Sequence, residues 1–235
     1  MKKTLINTTL AAFVAGLLIV GCSGTEKKAK EGRFSVSPTA QVCFAHGNVA
    51  DGGRTFCANQ WDYGGLFGWG TGANPGITTE DSSAYATFDD WGNYIDGGWR
   101  TLTADEWKYI LEQRPNANEK VAGATVNDVH GLVLLPDEWT LPEGCSLNTQ
   151  TTWDANAYTA EQWAQMENNG AIFLPAAGCR YGTENPIEGK HLSYSTSTPE
   201  SGYAAVVVCC VSGLGVTTGI TTRSTGQSVR LAREI

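Results

Sequence analysis

The sequence predicts an α+β fold, two helices packed against small, mostly antiparallel sheets, and three observations lead there. Two segments carry the same helix-start pattern. A few short apolar runs end at proline or turn residues, and between them lie glycine-rich stretches such as Tyr63-Gly64-Gly65-Leu66-Phe67-Gly68-Trp69-Gly70, which suit neither helix nor regular sheet.

The first helix is expected after Thr103, where Thr103-Ala104-Asp105-Glu106 forms a capping box: the threonine caps the helix and the glutamate reaches back to the cap amide. Trp107, Ile110 and Leu111 then share one face, and Arg114-Pro115 ends the segment. The second repeats the pattern at Thr159-Ala160-Glu161-Gln162, with Trp163 and Met166 on the buried side and Gly170 as the stop. Both tryptophans are expected in the core. Val133-Leu134-Leu135-Pro136 and Ile172-Phe173-Leu174-Pro175 read as strands closed by a proline, which has no N–H for a central ladder. Tyr203 to Val211 reads as a longer strand. From Ser228 to Arg233 the pattern alternates, Val229 and Leu231 on one side, Arg230 and Ala232 on the other.

The chain begins with Lys2 and Lys3, continues through a mostly apolar stretch from Leu10 to Val20 and reaches Leu18-Ile19-Val20-Gly21-Cys22. A charged start, a short apolar middle and a small residue before the cut describe a cleaved signal peptide. The apolar stretch is about half the roughly 20 residues that a membrane-spanning helix needs. The residues at the cut resemble the bacterial lipobox, which implies residues 1–21 removed and lipid attached to Cys22. Residues 22–33, charged and without apolar periodicity, are expected to be a flexible tether. Residues 34–235 suit one domain.

Cleavage leaves 14 Lys and Arg against 24 Asp and Glu, a net charge of −10. An acidic chain without a basic stripe is not expected to bind nucleic acid. Beyond Cys22 stand Cys43, Cys57, Cys145, Cys179, Cys209 and Cys210, whose pairing the spacing does not choose. With no CxxC spacing and only His46, His130 and His191, no metal site is expected.

Seven short motifs occur in order: Phe34-Ser35-Val36-Ser37; Phe44-Ala45-His46-Gly47-Asn48; Leu66-Phe67-Gly68-Trp69-Gly70; Gly98-Trp99-Arg100-Thr101-Leu102-Thr103 with Glu106-Trp107; Leu134-Leu135-Pro136-Asp137 with Trp139; Phe173-Leu174-Pro175-Ala176-Ala177-Gly178 with Arg180; and Ser228-Val229-Arg230-Leu231. Together they resemble the Fibrobacter succinogenes major paralogous domain, a group of bacterial surface-lipoprotein modules similar to the formylglycine-generating-enzyme version of the C-type lectin fold. The resemblance covers nearly all of Phe34 to Arg233. It implies that fold and a place in the cell envelope, as a surface-exposed outer-membrane lipoprotein.

The related oxidases use a spaced pair of late cysteines. Here Cys209 and Cys210 are adjacent, and nothing cationic lies between Lys190 and Arg223 to favour a thiolate. The expectation is therefore a non-catalytic protein with no cofactor. Calcium-dependent sugar binding, the other activity the fold suggests, needs a carboxylate-amide-proline loop and a Trp-Asn-Asp run. Glu184-Asn185-Pro186 holds such residues in another order, and there is no Trp-Asn-Asp.

Ser201 to Gly226 contains a single Arg and no Lys, Glu, Gln, Met or Trp, and all eight tryptophans come earlier. Diversity-generating retroelements, which rewrite adenines in the codons of a target gene, leave out those same five types and commonly act on C-type lectin folds near the C-terminus. Tyr194-Ser195-Thr196-Ser197-Thr198-Pro199 also puts a serine where the group tends to have a tryptophan. The resemblance thus implies a variable region at residues 191–226 facing an unknown extracellular ligand, protein or glycan. The expected ligand-binding residues are Tyr194, Ser195, Tyr203, Ala205, Val206, Val208, Cys210, Ser212, Leu214, Ile220, Thr221, Thr222, Ser224 and Thr225, pointing outward together. Val207, Cys209, Val229 and Leu231 are expected inside. Ala205 and Val206 both face out only across a bulge. The alternative is a structural cell-envelope lipoprotein with no variable face.

Overall fold

A computed structural model describes residues 31–202 and 204–235. The expected signal peptide, Cys22, most of the tether and Tyr203 lie outside the described residues.

Both capping boxes form. Thr103 Oγ1 accepts from the Glu106 N–H at 3.2 Å while the Glu106 carboxylate accepts from the Thr103 N–H at 2.8 Å, which opens α1 (Ala104–Lys108). The helix passes into a π-helical turn at Tyr109–Gln113, where the Ile110 carbonyl is taken by Arg114 Nε at 2.7 Å. Trp107, Ile110 and Leu111 are buried. The Thr159–Gln162 pair opens α2 (Ala160–Asn168), Trp163 and Met166 face inward, and Gly170 follows at φ +92, a value that glycine takes without strain.

Among the described residues ten strands make three sheets. β1 (Phe34–Ser35) and β2 (Gln41–Phe44) join β10 (Ala232–Glu234) in the order β1-β2-β10, so the two ends of the domain lie side by side. β3 (Val121–Val126) and β4 (Val129–Leu134) form a hairpin through Asn127 and Asp128, both at positive φ, as a two-residue hairpin turn requires. β5 (Ala157–Tyr158), the one parallel neighbour among these strands, and β6 (Ile172–Pro175) complete the order β5-β3-β4-β6, with Pro175 on an edge. β7 (His191–Glu200), β8 (Ala204–Val211) and β9 (Gly215–Thr222) form an antiparallel meander. The chain is thus α+β.

Burial follows from this layering. α1 packs with β1, β2, β7 and β8 around Phe34, Phe44, Trp107, Tyr194 and Val208. α2 covers β3, β4 and β6 through Trp163, Met166, Val133 and Phe173. A third cluster gathers Val49, Phe67 and Trp91 around Val229 and Leu231.

Three expectations are corrected. The tether does not run to residue 33, because the Arg33 carbonyl accepts from the Asp137 N–H at 2.8 Å and Glu31 pairs with Arg233 at 2.5 Å. Ser228 to Arg233 is not one alternating strand. Only residues 232–234 are strand; Val229 and Leu231 are buried as expected, and so are Arg230 and Ala232. The segment runs through the interior, its carbonyls accepting from Ala45, Val49 and Ser195, and the Arg230 guanidinium is tolerated because it ends on backbone carbonyls. The third correction concerns β8 and is described with the site. The six described cysteines are unpaired.

Candidate functional site: a hydroxyl-lined groove beside Tyr181

The meander decides which tail residues reach solvent. Register sets Tyr194 opposite Val208 and Leu192 opposite Cys210, and this face is the one that α1 covers. Tyr194, Val208 and Cys210, expected outside, are therefore core. The Tyr194 hydroxyl lies 3.0 Å from Asn48 Nδ2, and burial pushes its pKa up to about 12. Ser195 and Ala205 are buried as well: the Ser195 N–H donates to the Ser228 carbonyl at 2.9 Å, and a register shift between Ser195 and Pro199 brings Pro199 opposite Ala205. Of the neighbours Ala205 and Val206, only Val206 keeps solvent access. Val207 is buried as expected, and Cys209 is half-buried. Seven of the thirteen described members of the expected face are buried: those five, with Ser224 and Thr225.

The rest divide. Ser212 is exposed, but its hydroxyl accepts from the Trp153 N–H at 3.0 Å and ties the β8–β9 turn to the loop at 151–153. Leu214 is 82% and Ile220 66% exposed, with Val206 the cross-strand neighbour of Ile220 and Thr221 half-buried. Thr222, Ser224 and Thr225 come together at the end of β9. There the Thr222 Oγ1 lies 2.8 Å from Thr225 Oγ1 and 3.3 Å from Ser224 Oγ, and Ser224 Oγ lies 3.1 Å from Ser82 Oγ.

This hydroxyl chain lines a groove of about 260 Å³, with Glu80, Tyr181 and Gly182 on its other side. A second depression of about 450 Å³ shares Glu80, Tyr181 and Gly182 and continues to Thr78, Thr183, Glu184 and Pro186. Tyr181 stands between the two, 51% exposed. Its backbone is held by two hydrogen bonds with Glu184, 2.8 and 2.9 Å, across a turn in which Gly182 takes φ +57. Arg180 anchors that turn, donating to the Leu66 carbonyl at 3.0 Å and the Gly182 carbonyl at 2.5 Å, while its main chain bridges Gly226. On the other wall Asp81 caps the short 3-10 turn Ser82–Tyr85. Arg223, stacked over Trp69 at 4.1 Å, donates to the Ala204 and Ala86 carbonyls at 3.0 Å and pins the turn that carries Ser224 and Thr225.

Each hydroxyl both donates and accepts, the carboxylates of Glu80 and Glu184 accept, and the Tyr181 ring offers an apolar face with a polar tip. Glu80, Ser82 and Tyr181 were not among the expected residues. Tyr181 adjoins Arg180, the last residue of a motif the sequence does carry; Glu80 and Ser82 have no local signal.

Cys179, Cys209 and Cys210 are poorly placed for nucleophilic chemistry. Cys209 and Cys210 point to opposite faces of β8, burial raises both thiol pKa values, and that of Cys210 reaches about 12. Cys179 lies 3.4 Å from His191 Nδ1, yet burial raises the thiol and lowers the imidazole, away from a thiolate–imidazolium pair.

A larger cavity of about 550 Å³ lies elsewhere, between Trp99, Phe44, Ile172 and the His46–Glu167 pair. His46 Nδ1 lies 2.7 Å from Glu167, and its Nε2 2.6 Å from the Ala58 carbonyl. Gln60 spends its amide on Glu167, the Ala171 carbonyl and the Phe173 N–H. These polar groups bond one another across the joint between α2 and the loop after β2. The hydrogen bond to Glu167 is the main cause of a raised His46 pKa. Burial alone would raise Glu167, but the bonds from His46 and Gln60 hold it below its usual range. A raised His46 stabilises fully below its unfolded value of about 6.5 and loses that contribution as pH climbs through the folded value. A lowered Glu167 stabilises above its unfolded value of about 4.3 and loses that as pH falls through the folded one. The pair should therefore add most between about pH 4.5 and 6.5, modestly, since the His46 side chain is 53% exposed. Thermal midpoints measured from about pH 5 to 9 should fall less in Glu167→Gln than in the wild type; equal slopes would show that the pair does not couple to folding.

No protein-family model, no curated protein and no solved structure matches the chain.

Proposed function

We propose that this chain is a lipid-anchored, non-catalytic binding module of the C-type lectin-like subtype, and that the groove beside Tyr181 is where it holds its ligand, a glycan bound without metal. One observation carries the reading: an exposed aromatic ring stands within a groove walled by four linked hydroxyls and flanked by two carboxylates. Such a surface meets a polyhydroxylated ligand with matching donors and acceptors, while the ring covers its apolar face. The α+β architecture supports the lectin-like subtype at the coarser level. Burial that raises the pKa of the half-buried Cys209 and the buried Cys210 supports a role without turnover.

The proposal does not need a diversified tail. Tyr194, Ser195, Ala205, Val208 and Cys210 lie inside and leave the expected face, whose other described members divide between the groove and the β8–β9 edge. Sequencing the neighbouring DNA for a reverse transcriptase and a near-repeat of the codons for residues 191–233 tests the retroelement reading.

Anchoring rests on the lipobox resemblance. Cys22→Ala should move the protein from the detergent-rich to the aqueous phase in a phase-separation assay, and unchanged partitioning would refute the anchor. For the groove, the probe is an array of immobilised neutral and acidic glycans. Tyr181→Ala should weaken the strongest hit roughly tenfold or more, about 1.4 kcal/mol, with little change in thermal midpoint because the ring is exposed. Binding that survives Tyr181→Ala and Ser224→Ala, or an array without hits, would sink the glycan reading.

A further inference from the structure

We propose that the outer edge of β9 pairs with β9 of a second copy of this chain, extending the three-stranded meander into a six-stranded sheet across a twofold axis. Among the described residues β9 is an edge strand eight residues long, with β8 on one side and no strand on the other. Soluble proteins blunt such edges with lysine, proline, bulges or a covering loop. β9 reads Gly-Val-Thr-Thr-Gly-Ile-Thr-Thr and pairs with β8 residue for residue, without a register shift. Its unpaired side is a row of backbone donors and acceptors, and the most exposed large apolar side chains of the described structure, Leu214 and Ile220, bracket it.

The choice of a second copy over a foreign strand comes from charge and from register. No charged residue occurs from Ser201 to Thr222, in a chain whose net charge is −8. Two copies repel over much of their surface and least where neither carries a charge. A twofold pair is isologous, so the edge must complement itself. In an antiparallel pair alternate residues turn their N–H and C=O groups outward, and opposite residues must agree in direction. A twofold register is therefore centred on a residue. Centred on Thr217, it sets Val216 opposite Thr218 and Gly215 opposite Gly219, and it brings Leu214, in the turn just before β9, beside Ile220 of the second copy. Both exposed aliphatic residues gain an apolar neighbour, twice over, and no charge is buried.

In this register five residues of each strand, Gly215–Gly219, overlap, a small interface beside the roughly 1,200–2,000 Å² of a stable complex, so association is weak and is best read by trapping it. In the full chain, Thr217→Cys puts a thiol on the axis, where opposed Cα atoms lie about 4.5–5.5 Å apart, within disulfide range. Mild copper–phenanthroline oxidation of cells should give a covalent dimer on non-reducing gels well above that of the wild type, whose own cysteines set the baseline. Thr221→Cys, which faces Gly213 of the second copy in this register, should stay at baseline. Ile220→Lys combined with Thr217→Cys should return the dimer to baseline while the thermal midpoint holds, and sedimentation velocity of the purified protein should show a concentration-dependent dimer that Ile220→Lys abolishes. Equal cross-linking at 217 and 221, a Thr217→Cys variant that stays at the wild-type baseline, persistence of the dimer in the lysine variant, or a wild type that stays monomeric in sedimentation velocity would each overturn the proposal. So would capture of an extended foreign peptide along β9 without dimerisation.

Discussion

Arg230→Met is expected to cost about 3–5 kcal/mol and to bring the domain near the limit of stability at room temperature, given typical reserves of about 5–15 kcal/mol. Arg230 is 1% exposed, and among the described residues no carboxylate bonds its guanidinium. It donates to the carbonyls of Ala45 at 3.0 Å, His46 at 2.7 Å and Phe173 at 2.7 Å, and to Asn48 Oδ1 at 3.0 Å. Four acceptors from the N-terminal loop and β6 thus converge on one planar group. Methionine fills much of the volume but satisfies none of them, and each buried acceptor left alone costs about 1–3 kcal/mol, partly recovered where the backbone relaxes or water enters. Arg230→Lys should fall between, since one ammonium cannot reproduce a fork aimed at separate carbonyls. Urea unfolding followed by tryptophan fluorescence reads the effect. A midpoint within error of the wild type in Arg230→Met would mean that the guanidinium's burial costs as much as its bonds return.

Trp163→Ala should lose a similar amount, about 3–5 kcal/mol, by a different route. The indole is fully buried where α2 meets the second sheet, with ring centroids 5.9 Å from Tyr158 and 5.5 Å from Phe173. Alanine removes those contacts and leaves a cavity that α2 and two strands cannot close without moving. The indole Nε1 has no hydrogen-bond partner among the described residues, so Trp163→Phe removes an unsatisfied donor along with part of the ring. Its loss should stay below about 2 kcal/mol. Comparing the two midpoints at unchanged denaturant slope separates volume from polarity, and equal losses would refute the cavity argument.

The helices were legible because their signals are local: a capping box lies within four residues, and a tryptophan one position later sets the buried face. The strands were legible as strands but not always as faces. Val206-Val207-Val208-Cys209-Cys210 has no polar–apolar contrast, so period-two reasoning supplies an alternation without saying which half α1 covers, and half of the tail was assigned the wrong way round. The burial of Arg230 had no local signal either, since a charged residue between two apolar ones normally marks a wet face. The groove was out of reach because Ser82 and Ser224 stand 142 residues apart and Tyr181 comes from a third segment. Of its seven lining residues only Thr222, Ser224 and Thr225 were anticipated.

The adjacency of the two ends has a consequence for how the molecule is made. β2 receives β10 as its neighbour, and the Ala45 carbonyl waits for a guanidinium 185 residues further along. A nascent chain therefore holds an open apolar layer and unfilled acceptors until residues 230–234 have appeared. Closure of contacts so distant in sequence is slow and cooperative, which leaves little reason for a stable partial fold to form early. Folding of the first sheet is completed only when β10 and the buried segment before it reach β2.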